Sequence, residues 1–477
     1  MTVAPLARTR SFRPSRTDIP QSPNSNGDSP IFILPNEIFC SIFIHARNAS
    51  LVSGFFSLTA RTQEIIISHV CGLWRSIALN YPSLWDTIRY GTPRSSKIKV
   101  KDRFAAYIER SGNNLLDIWL NFRGDYRNVR LEDHKTMFAV LLSEVERWRR
   151  VTILLDANLH WPEICHNLQD LHVPNLEHFT LCTDHVARSR YITSSPTLFK
   201  AGTPYLRSVR LTTEDYKRSL PSLRAITTLR LETWATSSGV WVSLSTVIDV
   251  LAIPCLENLS IAGIQMSEPM NVDNRTKNIK ATKLKDFRCA SDSVVELMEL
   301  IQMPSLSILT LRNVKFPVLS SKSAPQLTEL ILVNCQVSWN AFHDDLFHLS
   351  SKITHLTISE DSGGTFRKHA VDDFLMNNGW PQLQSLRCNI QPESRVEFYL
   401  QLALDQPFVV YVHQNLLDMW AERSPDLLVF IDGKCILQSF DSDRSPLIPW
   451  QWPYSDDPLY HPFDRLDSDP FRVASYH

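Results

Sequence analysis

Between residues 113 and 433 the chain repeats one arrangement of apolar and polar positions, a short run of the form L-x-x-L-x-L. It occurs at LLDIWL (115), WRRVTI (148), LEHFTL (176), LRSVRL (206), ITTLRL (226) and LENLSI (256), and again at LKDFRC (284), LSILTL (306), LTELIL (327), ITHLTI (353) and LQSLRC (383). Successive starts lie between 20 and 33 residues apart. Alternation over so few residues puts the last two apolar side chains on one face of a strand and the residue between them on the other. Proline and a polar residue often precede the run, and helical patterns such as 137–148, 243–251 and 293–301 separate the runs. A strand, a turn and a helix repeated in this way predict an α/β solenoid over 113–433, with parallel strands inside and helices outside. The irregular spacing leaves an ordinary α/β domain as the alternative.

Residues 31–90 follow a different period. Ile38, Phe39, Ile42 and Phe43 follow Leu34 and Pro35, and Ile66, Val70, Leu73, Trp74 and Ile77 form a second stripe at helical spacing. The pattern predicts two amphipathic helices joined by 46–61. A unit this short cannot bury both faces of its helices, so it needs a partner or the rest of the chain. A polar, basic connection at 91–112, with a short helix around Arg103 to Arg110, leads into the repeats. Residues 1–30 combine four arginines with prolines that interrupt any transit-peptide helix, and read as a disordered arm. Residues 434–477 are acidic and aromatic. From Asp441 onward seven Asp and three Arg stand among Trp450, Trp452, Tyr454, Tyr460, Phe463 and Phe471. Such a stretch is expected to dock, either as a cap on the last repeat or across the concave face of the solenoid.

In order, Leu34, Pro35, Glu37, Ile38, Ile42, Phe43, Val70, Cys71, Trp74, Arg75, Pro82, Leu84 and Trp85 resemble the F-box in its fungal form, over about 55 residues. The middle of this stretch is Phe- and Ser-rich and slightly long for that pattern. The repeats resemble the leucine-rich repeats that follow many F-boxes, most clearly in LTELILVNCQV with its Asn334-Cys335 pair. The resemblance implies the substrate-recognition subunit of an SCF-type (cullin-RING) ubiquitin ligase. Its F-box would dock a Skp-type adaptor through Leu34, Pro35, Ile38, Ile42, Phe43, Val70 and Trp74, with some of these also holding the helices together. Leu84 and Trp85 would pack the F-box onto the first repeats. The alternative is a ligase-independent repeat scaffold in which the helices are only a cap.

Composition narrows the remaining classes. The 477 residues are 43% hydrophobic and 21% charged with a net charge of -1, so no global field recruits nucleic acid or membrane. Nine scattered cysteines without a C-x-x-C pair read as thiols in a reducing compartment, cytoplasmic and/or nuclear. No apolar run approaches the roughly 18 residues of a membrane span. Phosphate-loop, dinucleotide, zincin and hydrolase motifs are missing from the sequence, so no enzyme, cofactor or metal is expected. His343 and His348 around Asp344-Asp345 read as a solvated helix face rather than ligands. What remains is a surface. The residues between the last two apolar positions should face outward from the concave sheet, and Arg210, Arg230, Arg288 and Arg387, with Arg312 one pleat along, suit an acidic or phosphorylated target. Glu232 and Asp286 on the same face favour instead a neutral or mixed surface.

Overall fold

The computed structural model describes residues 30–53, 63–91, 100–122, 131–155, 161–183, 198–211, 225–232, 240–266, 279–315, 323–333, 335, 352–359, 381–389, 408–413 and 437–440. The arm, the HDDLFH stretch and 441–477 lie outside them. The chain opens with α1 (Asn36–Ser53), α2 (Gln63–Ser68) and α3 (Gly72–Leu79), then β1 (Thr87–Gly91) and α4 (Val100–Arg110). Next come β2 (Leu116–Asn121), α5 (Leu131–Leu142), β3 (Trp148–Leu155), α6 (Trp161–Gln169), β4 (His178–Thr183), β5 (Ser208–Leu211) and β6 (Thr228–Glu232). Then follow β7 (Val240–Val242), α7 (Leu244–Leu251), β8 (Asn258–Ala262), β9 (Ile264–Met266), β10 (Ile279–Lys280), β11 (Asp286–Ala290), α8 (Asp292–Leu297) and β12 (Ile301–Gln302). The last described strands are β13 (Ile308–Arg312), β14 (Glu329–Val333), β15 (His355–Ser359), β16 (Ser385–Asn389), β17 (Val409–His413) and β18 (Leu437–Phe440).

Fourteen strands form one sheet in the order β1-β2-β3-β4-β5-β6-β8-β11-β13-β14-β15-β16-β17-β18. All their described pairings are parallel. β7 with β9, and β10 with β12, make two further short parallel pairs. Sequence order nearly equals spatial order, as expected when each strand returns beside the last through a crossover. All eleven L-x-x-L-x-L runs are strands of this sheet. The sheet exceeds the expected span at both ends. β1 lies within the stretch read as the helical unit, and β18 follows residue 433.

The residues before each strand explain the proline. In Val173-Pro174-Asn175-Leu176, Thr203-Pro204-Tyr205-Leu206, Ile253-Pro254-Cys255-Leu256, Met303-Pro304-Ser305-Leu306 and Ala324-Pro325-Gln326-Leu327, the leucine amide donates to the carbonyl three residues back. Proline presets the backbone of the second turn position, and the leucine after the turn is buried. In four of the repeats a hydroxyl then makes a tie to the repeat before. Thr227 Oγ1 donates to Arg207 O, Ser307 Oγ to Lys285 O, Thr328 Oγ1 to Ser307 O and Thr354 Oγ1 to Thr328 O.

One face of the sheet is the core. Ile118, Val151, Phe179, Val209, Leu229, Leu259, Phe287, Leu309, Leu330, Leu356 and Leu386 stand in register along one row, all buried. The buried residues of α5, α6, α7 and α8 join the same core. Hydroxyls cap two of these helices, with Ser243 Oγ accepting from Thr246 N and Ser291 Oγ from Val294 N. Cys289 and Cys335 sit in this core, where burial pushes both thiols up to about 12, so they stay protonated and inert.

Candidate functional site

Two surfaces qualify as sites, the apolar face of the helical unit and the polar face of the sheet. The helical unit differs from the expectation in two ways. α1 runs on to Ser53 instead of ending near Ala46, and the second stripe is two helices rather than one. The break falls at Cys71, whose extended backbone ends the turn after α2 and whose Sγ accepts from Trp74 N at the start of α3. The cap starts α3 after this break, and Trp74 in its first turn packs on Phe39 and Phe43 of α1.

The structure divides the seven candidate docking residues. Phe43 is fully buried and Trp74 half-buried, their rings 5.1 Å apart and both against Phe39. These two hold the helices together and are removed from the list of surface anchors. Leu34, Pro35, Ile38, Ile42 and Val70 are exposed. Of ten exposed large hydrophobics among the described residues, nine lie between Ile31 and Leu79, and Ile38 and Val70 keep 46% and 55% of their surface in water. Ile66, Leu73 and Leu79 belong to this set and were missed as anchors, because a helical stripe alone does not say which of its members turn inward.

A dense junction fixes this unit to the sheet. Trp85 is fully buried, donates from Nε1 to Ala78 O at 2.7 Å, stands edge-on to Tyr107 of α4 and lies under the Arg110 guanidinium. Tyr107 Oη donates to the buried Glu64 carboxylate of α2, and Arg47 of α1 donates to Ser83 O and to Asp86 Oδ1. Gly112, at φ 55°, ends α4 in the left-handed conformation and turns the chain into β2. Trp85→Phe should therefore lower unfolding stability by about 2 kcal/mol through the lost hydrogen bond and volume, read by denaturant melts.

On the polar face, Trp119, Thr152, Thr180, Arg210, Arg230, Ser260, Arg288, Thr310, Ile331, Thr357 and Arg387 stand in register as one row. The row has the expected members, but it is not the expected open surface. Arg210, Arg230 and Arg288 each keep only 3% of their surface exposed, and Arg312 and Arg387 are half-buried. The buried arginines gather around Glu232. Arg230 grips its carboxylate with two bonds of 2.9 and 2.8 Å, Arg210 Nη2 is 3.1 Å away, and Ser260 Oγ donates at 2.6 Å. Burial alone would push the Glu232 carboxyl up. The charges of Arg230, Arg210 and Arg288 and the Arg230 hydrogen bonds outweigh it and hold the carboxyl below the usual range.

Elsewhere on this face Asp117 accepts two bonds from Arg149, the extra residue of a bulge between β2 and β3. Burial, then Arg150, Arg149 and Arg207, pull the His178 imidazole down to about 3, so it is neutral at physiological pH. Asp286 moves the other way, pushed up to about 6 by burial and then by the Glu329 carboxylate. A carboxyl whose folded pKa is raised takes up a proton on folding, so the chain loses stability as pH rises from 3.8 through 6. Asp286→Asn should stabilise the protein by about 2 kcal/mol at pH 7.5 and hardly at all at pH 3.5, in paired thermal melts.

Among the described residues no group of three His, Cys, Asp or Glu could hold a metal, and no helix is long and apolar enough to cross a membrane. The fold defines an α/β protein built on a long parallel sheet. No family model matches the chain, and the comparison with curated proteins found no match.

Proposed function

We propose that the chain is the substrate-recognition subunit of an SCF-type ubiquitin ligase, with 31–90 acting as an F-box and the repeats as a leucine-rich-repeat solenoid. One observation carries this reading. The exposed large hydrophobics of the described residues are concentrated on the helical unit, which has already filled its interior with Phe39, Phe43, Ile67, Ile77 and Trp85. A unit that needed its apolar stripe only to cap the sheet would have buried it there; concentrated exposed apolar surface marks an interaction site. Leu34, Pro35, Ile38, Ile42 and Val70 are the anchors for a Skp-type adaptor, and through it a cullin-RING assembly. The junction at Trp85, Tyr107 and Glu64 supports the positioning such a receptor performs, since it ties the docking helices to the target-holding sheet. Arg312 and Arg387 are the half-buried candidates for contact with an acidic or phosphorylated target.

The test is titration of a purified Skp-type adaptor into the full chain and its Leu34→Ala, Pro35→Ala variant. Burying one leucine contributes about 2 kcal/mol, so the double change should weaken binding more than about tenfold. Absence of binding by the wild-type chain would sink the ligase reading and leave the scaffold in its place.

A further inference from the structure

His69, Val70 and Cys71 join α2 to α3, and Val70 keeps 55% of its surface exposed. This turn is closed from both sides. His69 N donates to Ile66 O and Val70 N to Ile67 O. From α3 the Arg75 side chain reaches back across the turn, where its Nε donates to Ser68 O at 2.9 Å and its Nη2 lies 3.1 Å from His69 Nδ1. A guanidinium only donates, so the imidazole nitrogen is the acceptor. These contacts fix the guanidinium beside Val70 and leave its Nη1 edge to solvent, since Arg75 is exposed. Charge is scarce on this face. The described residues from Asn36 to Leu79 include four charged groups, Glu37, Arg47, Glu64 and Arg75. Arg47 is paired with Asp86, and the buried Glu64 accepts from the Tyr107 hydroxyl. Glu37 stands in the first turn of α1, where the helix itself favours an acid. Arg75 has no ion pair with a described carboxylate, and it lies on a helix that also exposes Leu73 and Leu79.

We propose that Arg75 is the specificity-determining contact of the docking face, pre-set to pair with a carboxylate of the adaptor. The inference rests on the ligase reading above. An adaptor that covers Val70, Leu73 and Leu79 also strips water from the guanidinium beside them. A cation desolvated without a counter-charge opposes association, and the described residues offer none at this point. The partner therefore brings the acid, at the rim of the groove that takes the apolar side chains. The N–H groups that Arg75 keeps in solvent suit a carboxylate, which accepts charge-assisted bonds from a planar fork. Ser68 and His69 already hold the side chain in place, so docking does not have to immobilise it afresh. In this division of labour the apolar anchors supply affinity. Arg75 selects the partner, because a groove of the same shape with no acid there, or with a base, leaves the guanidinium buried and unpaired.

The experiment titrates a purified Skp-type adaptor into the full chain and into its Arg75→Lys and Arg75→Gln variants, at about 0.1 M and about 1 M KCl. Both substitutions remove the guanidinium that clasps the turn, and only lysine keeps the charge, so comparing them separates charge from clasp. At the lower salt Arg75→Gln should bind about tenfold more weakly than the wild type, and Arg75→Lys should recover part of that loss. The gap between the two variants should close at the higher salt, where ions screen the pair. Equal affinities of the two variants at the lower salt would overturn the proposal and leave Arg75 as a clasp of the turn alone. So would a wild-type affinity indifferent to salt, a measurement that needs no variant and holds even if the substitutions unfold the helices. A wild-type chain that binds no adaptor at either salt fails the ligase reading itself, and this proposal with it.

Discussion

Ile38→Asp combined with Ile42→Asp is expected to abolish binding of a Skp-type adaptor while leaving the thermal midpoint of the free chain almost unchanged. Both side chains stand one turn apart on α1 and are 46% and 40% exposed, so in the free chain the new carboxylates are solvated and no packed core is opened. In a complex they would be buried in an apolar contact without a partner charge, which costs several kcal/mol and lowers affinity at least about 100-fold. Phe43→Ala is the control with the opposite signature. It empties the space between Phe39 and Trp74, should cost about 3–5 kcal/mol of stability, and weakens binding only by unfolding the unit. Calorimetric titration and thermal melts of the variants separate the two effects. A double Asp variant that melts early would show the stripe to be internal packing; one that still binds would remove α1 from the docking face.

The second large effect centres on Glu232. Its carboxylate is the shared acceptor of Arg230, Arg210 and Ser260 in a fully buried site, so Glu232→Ala leaves guanidiniums buried without it. Removing one member of a buried charge cluster costs about 3–5 kcal/mol, which a denaturant melt would show as an early transition. Glu232→Gln keeps the shape but not the charge and should fall between. The pH dependence gives a second check. Because the folded carboxyl is held below the usual carboxylate range, its contribution is present above that range and is lost as pH falls through the folded value. The stability gap between wild type and Glu232→Gln should therefore close in acid. A gap that stayed constant with pH would mean that the charge of Glu232 contributes nothing and that its packing accounts for the loss.

Much of the architecture is legible in the amino-acid sequence. Alternation in the eleven L-x-x-L-x-L runs determined that each is a strand and which residues share its core face, because a side-chain period of two leaves a strand no other choice when one face must be buried. The x-Pro-x-Leu sequences before them likewise contain their own turns, since proline presets the backbone locally. The helical stripes were legible as helices but not in their ends. The break at Cys71 needed a local cap that amphipathic spacing does not register, and the run of α1 to Ser53 overrode the Ala46 boundary.

What the sequence could not decide was what lies over each face. Phe43 and Ile42 are adjacent and equally apolar, yet one fills the helical interior and the other stands in solvent, because three helices must close around Trp74 and only one side of α1 meets them. Arg230 looks from its strand like any outward-facing arginine. Its burial against Glu232 depends on Arg210 and Ser260, which lie 20 and 30 residues away and are brought beside it by the parallel register. Local pattern specifies the direction in which a side chain points. Whether it meets water or another part of the chain is decided by the tertiary structure, through contacts between residues that the sequence keeps far apart.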